Sequence, residues 1–267
     1  MAERIGKHSE QLKTGTEAAL KLPFFFISDV HLSIHESPRE KAKLSALCKF
    51  FDHINDSGGT LFILGDFFDF WFDFGENYPL QFQPIIEKLT ELRQNNIAIH
   101  YAAGNHDYWI EGFLTRKLGI IPYPDEISFL HQGKSFFLTH GDGLLQNDYK
   151  YRLLKIILRS KLAIFLFSLL GKKIVYRIAA AVSQSEKPYT EEKLKTMKDH
   201  AAEMSQFLRK IWNKGYDVAI MGHIHEPTLI IENGRYALIL GDWVQENQNY
   251  FAVWDRGVLV HKQWVNL

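Results

Sequence analysis

The chain has 267 residues, of which 46% are hydrophobic and 14% aromatic, enough apolar side chain for the core of one domain with an insertion. Its 31 basic and 31 acidic residues cancel, so no overall charge draws the protein to nucleic acid, and a charged function requires a local patch. The single cysteine, Cys48, excludes an intrachain disulfide, and its helix-spaced apolar neighbours predict a packing role in a reducing compartment.

The first 20 residues are polar and mixed in charge, and we expect them to form a tail ahead of a domain that spans residues 21–267. The first apolar run, residues 22–27, is too short for the core of a signal peptide. We therefore expect a cytoplasmic protein.

The apolar pattern predicts alternating elements: a strand at 23–28, a helix at 38–55, a strand at 60–64, a helix at 82–95 and a strand at 97–102. This βαβαβ order is typical of a parallel sheet flanked by helices. A hairpin at 127–139, a strand at 217–221 and four strands between 228 and 264 follow, with Asn233-Gly234 as a hairpin turn. The pattern predicts an α/β sandwich, roughly αββα, with mixed β-sheets.

Five short segments carry the chemistry: Asp29-Val30-His31, Gly65-Asp66-Phe67-Phe68-Asp69, Gly104-Asn105-His106-Asp107, His140-Gly141-Asp142 and Gly222-His223-Ile224-His225. Most follow a predicted strand, and strand ends are where α/β folds place their functional groups. Carboxylate, amide and imidazole ligands without thiolate fit manganese, iron or zinc, and argue against a structural zinc site.

In order and in type, these segments resemble the motif series of calcineurin-like metallophosphoesterases. The resemblance implies two divalent metal ions, manganese first, with iron or zinc as alternatives. The first would be held by Asp29, His31, Asp66 and His225, and the second by Asp66, Asn105, His140 and His223. His106 would bind the phosphate or protonate the leaving oxygen, and is the implied catalytic residue. Asp69 or Asp107 would orient these groups, although Asp107 fits a helix or turn cap equally well.

A basic, lipophilic stretch lies between the fourth and fifth segments. Residues 149–185 contain eight Lys or Arg and no acidic residue, and the apolar run 162–170 is about half the roughly 20 residues that span a bilayer. The pattern predicts a helical hairpin broken near Gly171 that lies on an anionic membrane surface or caps an acyl-chain pocket. Ordinary core helices with solvated lysines are the alternative. Aromatic residues suited to stacking RNA bases are few.

Residues 140–152, the insertion after them and the stretches 65–71 and 240–243 resemble bacterial UDP-2,3-diacylglucosamine diphosphatases of lipid A synthesis. This resemblance implies that residues 146–190 form a lid that takes acyl chains. Substrate contacts are implied for His106, Asp148, Tyr151, Thr190 and Lys193. Asp148 fits a helix N-cap and Tyr151 a packing aromatic as alternatives. The best-known branch of that family has Arg where this chain has His106, and Glu where this chain has Asp69. This chain would therefore belong to a divergent branch.

The expected reaction is hydrolysis of the pyrophosphate of UDP-2,3-diacylglucosamine to 2,3-diacylglucosamine 1-phosphate and UMP. The expected partners are this lipid-linked nucleotide-sugar and the inner-membrane surface, contacted peripherally through residues 149–185, and no nucleic acid. One alternative is a calcineurin-like phosphodiesterase or phosphatase acting on a soluble nucleotide. Another is a non-catalytic metal-binding scaffold at a membrane, against which the seven implied ligands and His106 argue.

Overall fold

The structure, a computed structural model, describes residues 10–11, 20–145, 152–153, 155, 160–182, 189–245 and 248–265, with only the backbone at 10–11, 161 and 178–182. Its strands are β1 (Glu10–Gln11), β2 (Phe24–Ile27), β3 (Thr60–Leu64), β4 (Ala98–Ala102), β5 (Ile121–Tyr123), β6 (Glu126–His131), β7 (Lys134–Thr139), β8 (Val218–Met221), β9 (Thr228–Glu232), β10 (Arg235–Ile239), β11 (Tyr250–Asp255) and β12 (Val258–Gln263). Its α-helices are α1 (Pro38–Ser57), α2 (Gln83–Gln94), α3 (Lys161–Leu170), α4 (Lys172–Val182) and α5 (Glu191–Trp212). A 3₁₀ turn at Leu80–Phe82 and a π-helical turn at Phe113–Lys117 complete the described helical elements.

The strands form two six-stranded mixed sheets. One has the order β12-β11-β2-β3-β4-β5, in which β2 to β5 run parallel and β11 runs antiparallel to β2. The other has the order β1-β6-β7-β8-β10-β9, in which β7, β8 and β10 run parallel. The carboxyl ends of β2, β3 and β4 therefore lie side by side, as do those of β7 and β8.

Alternating side chains place the two sheets face to face. Phe24 and Phe26 of β2 pack into the apolar layer between the sheets, whereas Phe25 and Ile27 pack on the opposite face against α1 and α2, as the period of two in a strand requires. Helix α5 covers the outer face of the second sheet. The layers therefore run helix, sheet, sheet, helix, and confirm the predicted αββα architecture with mixed sheets.

Helix α1 illustrates how the sequence sets these elements. The Ser37 side chain accepts a hydrogen bond from the Glu40 amide, 3.1 Å away, Pro38 occupies the first turn, and the helix ends before Gly58 at φ 69°. Its apolar face is buried, and Cys48 packs partly buried against that core. The predicted packing role of the cysteine is therefore confirmed.

The predicted strands and the first two helices are observed within three residues of their expected ends. The helical hairpin is also observed, since α3 and α4 meet at Gly171 with φ 73°. The sequence pattern predicts no element at α5, at β5 or at the π-helical turn. Strand β1 lies inside the predicted polar tail and pairs with β6. Among the described helices, none has the length and apolar character required to cross a bilayer.

Candidate metal centre

The predicted ligands converge where the strand ends of the two sheets meet. Asp29 and His31 follow β2, Asp66 follows β3, and Asn105 follows β4. From the other sheet, His140 follows β7, and His223 and His225 follow β8. The structure thus brings together all seven side chains from segments up to 196 residues apart in the chain.

Five of these seven residues adopt a backbone conformation that side-chain-bearing residues rarely use. The φ angles lie between 47° and 70° at Asp29, His31, Asp66, His223 and His225. Each such residue costs roughly 1–2 kcal/mol, and strain of this kind persists where surrounding contacts fix the backbone. Here the amide of His31 donates to the Asp66 carbonyl at 2.9 Å and that of Asp29 to the Gly65 carbonyl at 3.1 Å.

Glycines in the motifs make room for the carboxylates. A Cβ on Gly104 would lie 2.1 Å from Oδ1 of Asp66, and one on Gly222 would lie 2.4 Å from Oδ2 of Asp29. Because the obstructing atoms belong to buried, fixed carboxylates, any larger residue at either position displaces a predicted ligand.

Among the described residues, three groups of side chains place their ligand atoms within 4.8 Å of one another. Two consist of predicted ligands only, Asp29, His31 and His225, and Asp66, His140 and His223, whereas the third joins His31 to Asp69 and His106. In the first, Nε2 of His225 lies 3.2 Å from Oδ1 of Asp29. In the second, Nε2 of His140 lies 3.4 Å from Oδ2 of Asp66. The same Asp66 oxygen lies 3.7 Å from Nε2 of His31, so Asp66 contacts both groups.

Two members of the first group carry buried polar atoms that the protein leaves without a hydrogen bond. Among the described residues, Oδ1 of Asp29 and both ring nitrogens of His31 have no hydrogen-bond partner. Buried polar atoms are normally satisfied, and these atoms point to a bound cation. The residues therefore fit divalent metal ions of the kind that mixed oxygen and imidazole ligands prefer.

Hydrogen bonds fix which imidazole nitrogen is available. Nδ1 of His140 lies 2.8 Å from the Leu64 carbonyl oxygen, to which it donates, and Nδ1 of His225 lies 2.8 Å from Oδ2 of Asp242. Both rings therefore present Nε2 to the centre. The amide oxygen of Asn105 lies 3.1 Å from Nε2 of His140 and belongs to the second group.

Charge pairing dominates the ionisation of the centre. Burial would raise the pKa of Asp66, but His140 and His106 hold it well below its usual range. Burial would lower the pKa of His140, but the Asp66 carboxylate raises it to about 10. Burial and the neighbouring His140 lower the pKa of His223 to about 4. The carboxylate is thus ionised, and the His223 imidazole is neutral with a lone pair to offer.

His106 lies beside the ligands at the edge of a cavity of about 470 Å³. Its Nδ1 donates to the Asp69 carbonyl oxygen at 2.8 Å, and its Nε2 lies 4.0 Å from Oδ2 of Asp66. The side chain is 36% exposed. With Nδ1 engaged, Nε2 is the nitrogen that remains to contact a ligand in the cavity.

Asp69 and Asp107 both contact the centre's loops. Asp69 lies 3.6 Å from Nδ1 of His31, in addition to its carbonyl contact with His106. Asp107 accepts a hydrogen bond from the Gly104 amide three residues earlier, as a turn cap would. It also accepts from the backbone amides of residues 66–68, so it joins the second and third motifs as well.

The predicted substrate contacts separate into three cases. Lys193 lines the cavity of the metal centre. Thr190 is the N-cap of α5, where its side chain accepts from the Lys193 amide at 3.2 Å, and it is not among the described residues that line the cavity. Asp148 and Tyr151 lie outside the described residues.

Sequence reasoning missed two residues that contact His225. Asp242 is fully buried and binds Nδ1 of His225, and the hydroxyl of Tyr189 contacts both groups. A signal for Asp242 was present, because Leu240-Gly241-Asp242 repeats Leu64-Gly65-Asp66 at the end of a strand. No local pattern marks Tyr189.

The fold and the site define an α/β protein in which carboxylate and imidazole groups that could hold metal ions gather at the strand ends. The sequence profile described as calcineurin-like phosphoesterase matches residues 22–227. The chain belongs to the calcineurin-like phosphoesterase family and is a phosphoesterase, as the motifs predicted.

Two curated relatives carry the same name. The chain is 28% identical over 261 residues to the UDP-2,3-diacylglucosamine hydrolase of Porphyromonas gingivalis, a match that covers 90% of this chain and 97% of that protein. It is 30% identical over 224 residues to the UDP-2,3-diacylglucosamine hydrolase of Edwardsiella ictaluri, with 82% and 83% covered. A solved structure described as a novel archaeal phosphodiesterase matches at 16% identity and a TM-score of 0.45, with 91% and 99% covered.

Proposed function

We propose that this phosphoesterase hydrolyses the pyrophosphate of UDP-2,3-diacylglucosamine to 2,3-diacylglucosamine 1-phosphate and UMP. The observation that carries the proposal is the pair of carboxylate and imidazole groups that share Asp66 at the floor of one cavity. The names of the two relatives supply the substrate class.

Two divalent ions would be held by the seven ligands, with manganese proposed first and iron or zinc as the alternatives. When bound, such ions supply Lewis acidity toward water and toward the phosphoryl oxygens. The protein's part is to present ionised carboxylates and imidazole Nε2 atoms in a fixed arrangement, and the Asp66 carboxylate contacts both groups at once.

His106 would handle the phosphoryl group and a proton. Its Nδ1 is fixed by the Asp69 carbonyl, so Nε2 would hydrogen-bond a phosphoryl oxygen or protonate the leaving oxygen of the 1-phosphate. Lys193 lines the same cavity, and its ammonium would pair with the diphosphate.

The insertion, residues 146–190, would take the acyl chains. A second cavity of about 310 Å³ lies where α3 meets the core, lined by Trp109, Tyr108, Ile110 and Ile164 among others. Phe167 of α3 packs against the Trp109 ring at a centroid distance of 5.2 Å. Asp73, Glu111 and Ser168 also line the cavity, but most of its lining is aromatic or apolar, which matches the chemistry of an alkyl chain.

The outer side of α3 and α4 would rest on the membrane. Six large apolar side chains are exposed there: Leu162, Phe165, Leu166, Leu169, Leu170 and Ile174. Basic residues accompany them in both helices, a combination that favours an anionic lipid surface. Flotation with anionic vesicles should therefore be lost in Leu166→Glu and kept in Leu130→Glu, because Leu130 is similarly exposed but belongs to β6 of the second sheet. Equal flotation of the two variants would contradict the membrane assignment.

The substrate test compares three compounds at saturating manganese: UDP-2,3-diacylglucosamine, the unacylated UDP-sugar and an aryl phosphate. We expect release of UMP from the first at a far higher kcat/KM than from the second. Preference for the unacylated nucleotide would support the alternative, a soluble nucleotide substrate. Cleavage of the aryl phosphate with the diacyl compound left intact would remove the proposed substrate.

A further inference from the structure

Tyr189 ties the insertion to a predicted metal ligand. It lies at the C-terminal end of the insertion, and its hydroxyl donates a hydrogen bond to Oδ2 of Asp242 at 2.5 Å. The same hydroxyl oxygen lies 2.5 Å from Nδ1 of His225. A residue of the insertion thus contacts both the imidazole and the carboxylate behind it.

The three groups satisfy one another's hydrogen bonds. The Tyr189 O–H donates to Asp242, and the Nδ1–H of His225 is shared between Oδ2 of Asp242, at 2.8 Å, and the Tyr189 oxygen. The second oxygen of Asp242 accepts the Val244 amide at 2.8 Å, which anchors the carboxylate. This arrangement holds the proton on Nδ1 and leaves Nε2, 3.2 Å from Oδ1 of Asp29, for the metal.

The ring of Tyr189 makes a separate contact. The ammonium of Lys193 lies 4.3 Å from the ring centroid, within the range of a cation–π interaction. Lys193 also lines the cavity of the metal centre. The hydroxyl therefore acts on a metal ligand, while the ring face acts on a cation that faces the substrate.

We propose that Tyr189 is a positioning residue that couples the insertion to the metal centre, its hydroxyl holding His225 through Asp242 and its ring holding Lys193 at the cavity wall. The proposal rests on the ligand role proposed for His225. Because coupling between two binding equilibria is reciprocal, metal binding strengthens the Tyr189 contacts by the same factor by which those contacts strengthen metal binding.

The hydroxyl is tested by metal binding in the absence of substrate. Equilibrium dialysis against manganese compares the wild type, Tyr189→Phe and His225→Ala. We expect Tyr189→Phe to bind one of the two ions about ten- to a hundredfold more weakly, the usual effect of removing a partner of a ligating histidine, and His225→Ala to lose that ion.

The outcomes separate the two proposals. If Tyr189→Phe binds manganese as the wild type does while His225→Ala loses an ion, the coupling role of Tyr189 is overturned and the ligand role of His225 stands. If His225→Ala keeps both ions with unchanged affinity, the ligand assignment fails, and the coupling fails with it.

The ring is tested by separating KM from kcat. At saturating manganese, Tyr189→Phe keeps the ring and should keep the wild-type KM. Tyr189→Leu removes the ring and should raise KM about two- to fivefold, the range that a partly exposed cation–π contact supports. Lys193→Met, which removes the ammonium proposed to pair with the diphosphate, should raise KM by at least as much. Equal KM values in the Phe and Leu variants would overturn the role of the ring. Urea midpoints of both variants exclude general unfolding as the cause.

Discussion

Replacing Asp107 tests whether one buried carboxylate holds the Asp66 loop in place. Asp107 is fully buried. Its two oxygens accept hydrogen bonds from five donors, the amides of Asp66, Phe67, Phe68 and Gly104 and the hydroxyl of Tyr101. Three of these donors meet Oδ2 and two meet Oδ1. The carboxylate therefore connects the loop after β3 to the loop after β4.

The number of donors sets the size of the effect. Asp107→Ala leaves five buried donors without an acceptor, and at about 1–3 kcal/mol for each the loss is at least roughly 5 kcal/mol. Asp107→Asn keeps one oxygen, which can serve the three donors at Oδ2, and turns its NH₂ toward the other two. The expected loss is then about 2–6 kcal/mol.

Urea unfolding at an unchanged m-value measures these losses. Asp56→Asn is the matched control, because Asp56 is exposed on α1 and such a change costs within about 0.5 kcal/mol. We expect the order of stability to be the control, then Asp107→Asn, then Asp107→Ala. An Asp107→Asn protein as stable as the control would refute the reasoning from donor counts.

Three further predictions concern other parts of the molecule. His106→Ala should lower kcat by about 10²–10⁴-fold with metal content unchanged, measured by kinetics and elemental analysis. The ammonium of Lys43 donates to the His31 carbonyl at 2.8 Å and pairs with Glu40 at 2.9 Å. Lys43→Met should therefore lower the free energy of unfolding, measured in urea, by about 3–5 kcal/mol. The double variant Lys43→Met/Glu40→Gln should lower it by less, because it leaves no unpaired carboxylate. Burial and the adjacent aspartate raise the pKa of Glu126 to about 7. The stability of the protein should therefore fall as the pH rises from about 4.5 through 7, by on the order of 1 kcal/mol once the partial exposure of Glu126 is allowed for. Glu126→Gln should remove this pH dependence.

Two of the three have a control on the exposed surface. His35→Ala should keep full turnover, and retention of turnover by His106→Ala as well would contradict its catalytic role. Lys41→Met removes only an exposed ion pair with Glu36 and should cost less than about 1 kcal/mol. A slope between pH 4.5 and 7 that survives Glu126→Gln would assign the titration to another group.

The fold was predictable because its signals are local. Each strand of the βαβαβ unit is a short apolar run, and the turn at Asn233-Gly234 has a characteristic dipeptide. Helix α5 was not predicted, because the apolar residues of its buried face, which include Met204 and Leu208, are separated by many charged residues. The π-helical turn has no sequence pattern with a period of its own.

The proposed ligands and Asp107, which all lie inside the motifs, were predicted from the sequence, whereas Asp242 and Tyr189, which contact His225 from outside the motifs, were not. The motif residues occur close together in the sequence, in short groups, so His223 and His225 can be recognised from the sequence alone. The residue that orients His225 is Asp242, 17 positions later and in another loop. Tyr189 is 36 positions earlier. Hydrogen bonds of this kind depend on where the chain returns in space, which hydrophobic periodicity does not encode.

These supports explain how the strained ligand loops persist. Three of the loops carry a ligand at positive φ and are each held by a buried charge from elsewhere in the chain: Asp107 for the Asp66 loop, Lys43 for the His31 loop and Asp242 for the His225 loop. Each anchor engages a backbone amide, a backbone carbonyl or a ring nitrogen, so it leaves the metal-facing atoms free. A site fixed in this way keeps its ligand geometry without relying on the metal to impose it. Of the three anchors, Asp242 alone also binds Tyr189 among the described residues, and a displacement of Tyr189 would therefore reach the proposed metal centre through His225.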